Sequence, residues 1–263
     1  MSLAQSIKRL LYKSLSLENY LKTLSWGFFA GFRLGVASQS PAYEYPHFLK
    51  RLVAKGDTVL DIGANLGYYS RILSRLVGSS GRVFAVEPVA PIMGVLRHNL
   101  RHCNNVEILN CALGAENKPI RMGNDSSRYT GYMGTGQNFV MDAENNAEES
   151  HAAQEFTATM RRGSELFERL PRLDFIKCDI EGYEVVVMNE MRPVLERHLP
   201  TLLIETGDEK RVQIVGLFEQ MGYSAFTLAD RKLTPLTPDS TKDIVFIHAT
   251  KLPRYRHLIQ QCE

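Results

Sequence analysis

From residue 56 onward the chain alternates short β-branched apolar runs with segments whose apolar positions recur every three or four residues. The first pattern belongs to buried strands and the second to helices with one apolar face, so the alternation predicts βαβ units around a mainly parallel sheet. A buried first strand is expected at 58–62. A helix follows at 68–77, where Tyr69, Ile72, Leu73 and Leu76 share one face and Gly78 stops it. A second strand at 82–87, a helix at 91–102 with Pro91 in its first turn, and a third strand at 106–110 continue the rhythm. Strands at 173–179 and 201–205, a helix at 212–221 and strands at 224–228 and 244–248 complete it.

Two regions fall outside this rhythm. Residues 121–160 carry Ser126, Ser127, Gly131, Gly134 and Gly136 and then an acidic stretch, which reads as an irregular insertion and a candidate substrate lid. Residues 1–45 read as a helical extension before a domain that starts near Pro46. There Ile7, Leu10, Leu11 and Leu15 recur at helical spacing beside Lys8, Arg9 and Lys13. The apolar stretch 24–32 lies between Lys22 and Arg33, shorter than the roughly 20 apolar residues a spanning helix needs. It also lies too far from the start for a signal peptide. The extension is expected to pack on the domain, with weak contact to a membrane surface as the alternative.

With 263 residues, 44% hydrophobic and 23% charged, the chain suits one sizeable domain plus an appendage. A net charge of +2 without a basic run gives no case for nucleic acid. Cys103, Cys111, Cys178 and Cys262 show no metal or disulfide spacing, which fits reduced thiols and a cytoplasmic location, peripheral to the inner membrane surface if the N-terminal helix touches lipid. No metal ligand set is read.

Chemistry concentrates where strands are expected to end. Asp61-Ile62-Gly63-Ala64-Asn65-Leu66-Gly67 places a carboxylate and two glycines at the tip of the first strand. A dinucleotide fingerprint has three glycines, and Asp61 would repel a pyrophosphate, which counts against a nicotinamide-dependent oxidoreductase. S-adenosylmethionine carries an ammonium and a sulfonium and no phosphate, so the loop argues for that cofactor, with Asn65 holding the turn or bonding its carboxylate. Glu87, before Pro88, stands where an acid accepts bonds from ribose hydroxyls. Asn110-Cys111-Ala112 offers a loop along an adenine edge. Asp179, Glu181 and Glu184 crowd the fourth strand's end. Asp179 and Glu181 are the candidate bases, His151 is held in reserve, and Glu181 and Glu184 are equally candidates for capping the next helix.

These segments together with Phe175-Ile176-Lys177-Cys178-Asp179-Ile180-Glu181-Gly182-Tyr183-Glu184 and Leu203-Ile204-Glu205 resemble the FkbM family of methyltransferases over roughly residues 56–249. The resemblance implies a Rossmann-like class I methyltransferase fold: a seven-stranded mainly parallel sheet of order 3-2-1-4-5-7-6, helices on both faces. It implies O-methylation of a sugar, glycolipid or natural product, with cofactor contacts at Asp61, Gly63, Asn65, Gly67, Glu87 and Asp179. Ala64, Tyr69, Pro88, Asn110 and Ala112 complete the expected cofactor-binding set. Relatives carry a threonine-leucine-aspartate stretch before the fourth strand where this chain has Thr159-Met160-Arg161-Arg162-Gly163-Ser164, so the acceptor is expected to differ. A scaffold that kept the fold without the chemistry is the remaining alternative.

Overall fold

The computed structural model describes residues 3–35, 41–141, 152–237 and 240–260. Three helices, α1 (Leu3–Ser14), α2 (Leu17–Leu34) and α3 (Pro41–Leu52), precede the sheet. β1 (Thr58–Ile62), α4 (Tyr68–Val77), β2 (Arg82–Val86), α5 (Ala90–Leu100) and β3 (Val106–Leu109) follow the expected order. Next come β4 (Ala112–Leu113), β5 (Lys118–Asn124), α6 (Ser126–Thr130), β6 (Asn138–Val140) and β7 (Gln154–Arg161). The second half holds α7 (Gly163–Leu166), β8 (Phe175–Cys178), α8 (Glu184–Glu190), α9 (Arg192–His198), β9 (Thr201–Glu205), α10 (Asp208–Gln220), β10 (Tyr223–Ala229), β11 (Lys232–Pro235) and β12 (Asp243–His248).

The main sheet has the order β3-β2-β1-β8-β9-β12-β10-β11, with β12 antiparallel to both neighbours. This is the order 3-2-1-4-5-7-6 with an eighth strand added at the edge, where β11 folds back on β10 through Asp230 and Arg231, both at positive φ. β1 is buried along its whole length because helices cover both faces of a central parallel strand, and such strands read as unbroken apolar runs. Alternate residues feed two cores. Leu60, Ile62, Phe84, Ile176 and Cys178 pack with α8, α9 and α10, while Val59, Val83, Phe175 and Leu203 pack with α3 and α4.

The 121–160 segment is not an irregular loop over its described part. β5 and β7 pair antiparallel over seven register positions, and with β4 and β6 they form a second, four-stranded sheet. β7 alternates exposed and sheltered residues, as a strand with one wet face must. Pro46 lies inside α3, in its second turn, where it removes one backbone donor from the helix. α2 is anchored by Tyr20 and Leu21, both 0% exposed, and the Tyr20 hydroxyl donates to Met133 O at 2.9 Å. Burying those two side chains is worth about 1.5–3 kcal/mol each. Among the described residues no helix is long and apolar enough to cross a membrane.

Candidate active site

The turn from β1 to α4 is forced by close backbone approach. Gly63 has φ +77°, and a Cβ there would sit 1.9 Å from the Asp179 carbonyl oxygen at the end of β8. Gly67 has φ +85° and its Cβ would press on Leu96 at 2.9 Å, so that glycine serves helix packing against α5. Between them Asn65 is left-handed at φ 52°, a conformation asparagine tolerates because its side chain bonds locally; here Oδ1 accepts from Leu66 N at 2.8 Å.

Glu87, at the end of β2, is buried and ties two loops together. One carboxylate oxygen accepts from Asn65 N and the other from Val89 N, each at 2.9 Å. Burial pushes its carboxyl up to about 7 against those two bonds. Each carboxylate oxygen has a second lone pair free for a ligand hydroxyl.

The fourth strand's end is organised around Lys177. Asp61 and Lys177 are register partners across β1 and β8, and Glu205 and Asp243 are partners across β9 and β12. Lys177 Nζ lies 3.1 Å from Asp179 Oδ2 and 4.9 Å from the Tyr69 ring centroid. Buried lysine ordinarily loses its proton. Here Asp179 and Asp61 overcome burial and raise the ammonium above its usual value. Burial also raises Asp61, which accepts from Ser70 through Oδ2, while Oδ1 has no partner among the described residues. Burial, then Asp179 and Asp243, lift Glu205 to about 7; burial lifts Asp243 to about 6.

Beyond Asp179 the chain turns through Glu181 at φ 53° and Gly182 at φ 94°. Glu184 holds this turn: Oε1 accepts from Ile180 N at 3.2 Å and Gly182 N at 3.0 Å. Glu184 is thus spent on the turn before α8, whose first turn has no side-chain cap, and Glu181 is left at an exposed lip, its carboxyl lifted to about 7 by burial of its inner side and by Asp179 and Glu184.

These elements frame a cleft at the carboxyl ends of the strands, with about 610 Å³ of empty space when the part open to solvent is counted. Val86, Val89, Cys111, Leu113, Met122 and Val140 give it apolar walls, Thr135, Gly136 and Asn138 of the second sheet line it too, and Gly136 lies close to Asn65 and Glu181. Among the described lining residues the charged ones are Glu87, Asp179 and Glu181, with no lysine, arginine or histidine.

Of the residues expected from sequence, Gly63, Asn65, Glu87, Pro88, Ala112, Asp179 and Glu181 come together on this cleft. Others do not line it. Asp61 is buried beneath it, and Ala64 packs with Ala85, Met93 and Leu96. Gly67 faces α5, and Tyr69 packs in the core on the far side, against Lys177. Asn110 braces the rim instead: its amide donates to the Glu87 and Pro88 carbonyls at 3.0 and 3.2 Å. His151, Cys262 and residues 142–150 lie outside the described residues. Sequence reasoning missed Lys177, Glu205 and Asp243 as a group; the available signal was a lysine inside an otherwise apolar strand, which is buried only when paired.

A sheet of this order with a cleft at the carboxyl ends of β1, β2 and β8 defines a Rossmann-like α/β protein. Residues 61–225 match the model of the methyltransferase FkbM domain, and the chain belongs to that family. A protein-L-isoaspartate O-methyltransferase of Methanosarcina mazei is 34% identical over 80 residues, 30% of this chain and 29% of that protein. One of Aeropyrum pernix is 36% identical over 65 residues, 25% of each. The chain thus spans less than a third of the length of these curated relatives. A crystal structure of methyltransferase FkbM from Methylobacillus flagellatus superposes with a TM-score of 0.48 at 18% identity, over 73% of this chain and 43% of that one.

Proposed function

We propose that the protein is an S-adenosylmethionine-dependent methyltransferase that O-methylates a hydroxyl of a sugar, glycolipid or natural product. The observation that carries this reading is the charge of the cleft: three carboxylates and no cation among its described lining residues. A dinucleotide would bring a pyrophosphate into that field, and two charges of like sign a few ångströms apart repel by about 4 kcal/mol near a protein surface. A sulfonium amino acid is drawn into it.

When bound, the cofactor supplies an already activated methyl group, so the protein's task is alignment and proton removal. Asp179, bonded to Lys177 at 3.1 Å, is the residue suited to hold the cofactor's ammonium, and Glu87 its ribose hydroxyls. Apolar Val86, Val89, Leu113 and Met122 suit an adenine. Glu181, with a carboxyl near 7, is matched to take a hydroxyl proton at neutral pH, a role worth on the order of 10²–10⁴ in rate. The segment carrying Thr135, Gly136 and Asn138 forms the wall against which an acceptor would lie. Peripheral contact with a membrane surface through the N-terminal helices belongs to the same proposal. Calorimetry with S-adenosylhomocysteine and with a nicotinamide dinucleotide tests the reading: micromolar binding of the first alone supports it, and binding of the second alone ends it.

A further inference from the structure

α1 packs one side on the domain and leaves an apolar stripe outside it. Leu3, Ile7 and Leu10 recur at i, i+4 and i+7 and form one stripe, yet they are 78%, 49% and 67% exposed, and the helix buries no residue. Its other side meets the fold, where Leu11 and Tyr12 pack on the cluster around Tyr20 and Met133 and polar contacts join them. Arg9 donates to the Thr130 carbonyl, the Lys8 ammonium lies 5.6 Å from the Tyr132 ring centroid, and the Gln154 amide donates to the Tyr12 hydroxyl at 2.8 Å. The stripe therefore points away from the face that packs on the fold.

Charge decides what the stripe meets. α1 contains Lys8, Arg9 and Lys13 and no acidic residue, and α2 adds Lys22 and Arg33 against a single acid, Glu18. Arg9 and Lys8 are turned to Thr130 and Tyr132 and Lys22 pairs with Glu18, so exposed Lys13 is the cation beside the stripe. An apolar face on a helix of net positive charge without an acid suits the plane of an anionic membrane. A stripe of three side chains also falls far short of the roughly 20–30 residues a side that a stable protein interface engages. We propose that α1 docks the protein on the anionic surface of a lipid bilayer through Leu3, Ile7 and Leu10.

The dock has a bearing on the cleft. The segment that α1 grips at Thr130 and Tyr132 continues into Thr135, Gly136 and Asn138, which line the cleft. Docking brings that wall toward the bilayer and favours an acceptor hydroxyl carried on a lipid, a consequence that rests on the methyltransferase reading, whereas the docking itself does not.

Sedimentation of the full chain with vesicles tests it. Phosphatidylcholine vesicles containing phosphatidylglycerol are expected to bind at least about tenfold more protein than pure phosphatidylcholine, and high salt to reverse the difference. The double variant Ile7→Glu, Leu10→Glu, both exposed in the wild type and so compatible with folding, loses the binding. Lys13→Glu weakens it about fivefold. Affinity for S-adenosylhomocysteine and the melting temperature, measured on the same samples, stay unchanged, so failure of the dock and failure of the cofactor reading are told apart. Equal binding to both vesicles, no binding, wild-type binding by the double variant, or a concentration-dependent dimer that the double variant abolishes would each overturn the proposal.

Discussion

Asp61 and Lys177 stand opposite each other in the register of β1 and β8, and both are buried. Neither charge has a solvent route, so each depends on the other, and Asp179 completes the balance through its 3.1 Å bond to the ammonium. Removing one partner of a buried pair leaves an uncompensated charge, at a cost of about 3–5 kcal/mol. Lys177→Met is expected to lower the urea midpoint accordingly, and adding Asp61→Asn to recover part of the loss. A Lys177→Met protein as stable as wild type would remove the pair from the fold's energetics.

Two glycines separate steric need from backbone cost. Gly63→Ala places a methyl 1.9 Å from a main-chain oxygen at a φ of +77°, and nothing there can yield cheaply. Loss of S-adenosylhomocysteine binding and a destabilisation of several kcal/mol, on the order of the largest single-residue effects, are expected. Gly216→Ala, in α10 with nothing within 4 Å of the added carbon, should instead stabilise by about 0.5–1 kcal/mol. Thermal denaturation of the two variants checks both signs.

Stability should fall as pH rises through neutrality. Glu87 and Glu205 sit near 7 and Asp243 near 6, above ordinary values of 4.5 and 3.8. Between about 4 and 7 the folded chain therefore holds protons that the unfolded chain has released, which stabilises the fold at the acid side of that window. That contribution is complete below the unfolded values and lost above about 7. Melting temperatures of the ligand-free protein at pH 5 and pH 8 measure it, with the higher value expected at pH 5.

Glu181→Gln removes the proposed base without changing shape. Turnover is expected to drop by roughly 10²–10⁴ while S-adenosylhomocysteine affinity holds. In the wild type the rate should rise with pH through about 7, following the Glu181 carboxyl, and that inflection should vanish in the variant. Asp179→Asn should do the reverse, weakening cofactor binding before turnover.

Local pattern carried the strands and helices that pack on both sides. β1, α4 and β9 begin and end where periodicity and the flanking glycines put them, because a central buried strand is mostly apolar and admits a charge such as Asp61 only with compensation. β5 and β7 were hidden for the opposite reason. Each has one wet face, includes glycine or polar residues, and finds its partner some thirty positions away, so neither carries a run that stands out alone.

The sequence alone determined the turn chemistry of 61–67, the acids at the strand ends and the family likeness, since each is written in residues adjacent along the chain. Which of those acids face a ligand was decided by the tertiary structure. Strand pairing set Asp61 under the floor against Lys177, brought Glu205 and Asp243 together from β9 and β12, and left Asp179 and Glu181 at the opening. Burial and neighbouring charge are properties of that packing, and they alone separate a carboxylate that holds the fold from one that meets a substrate.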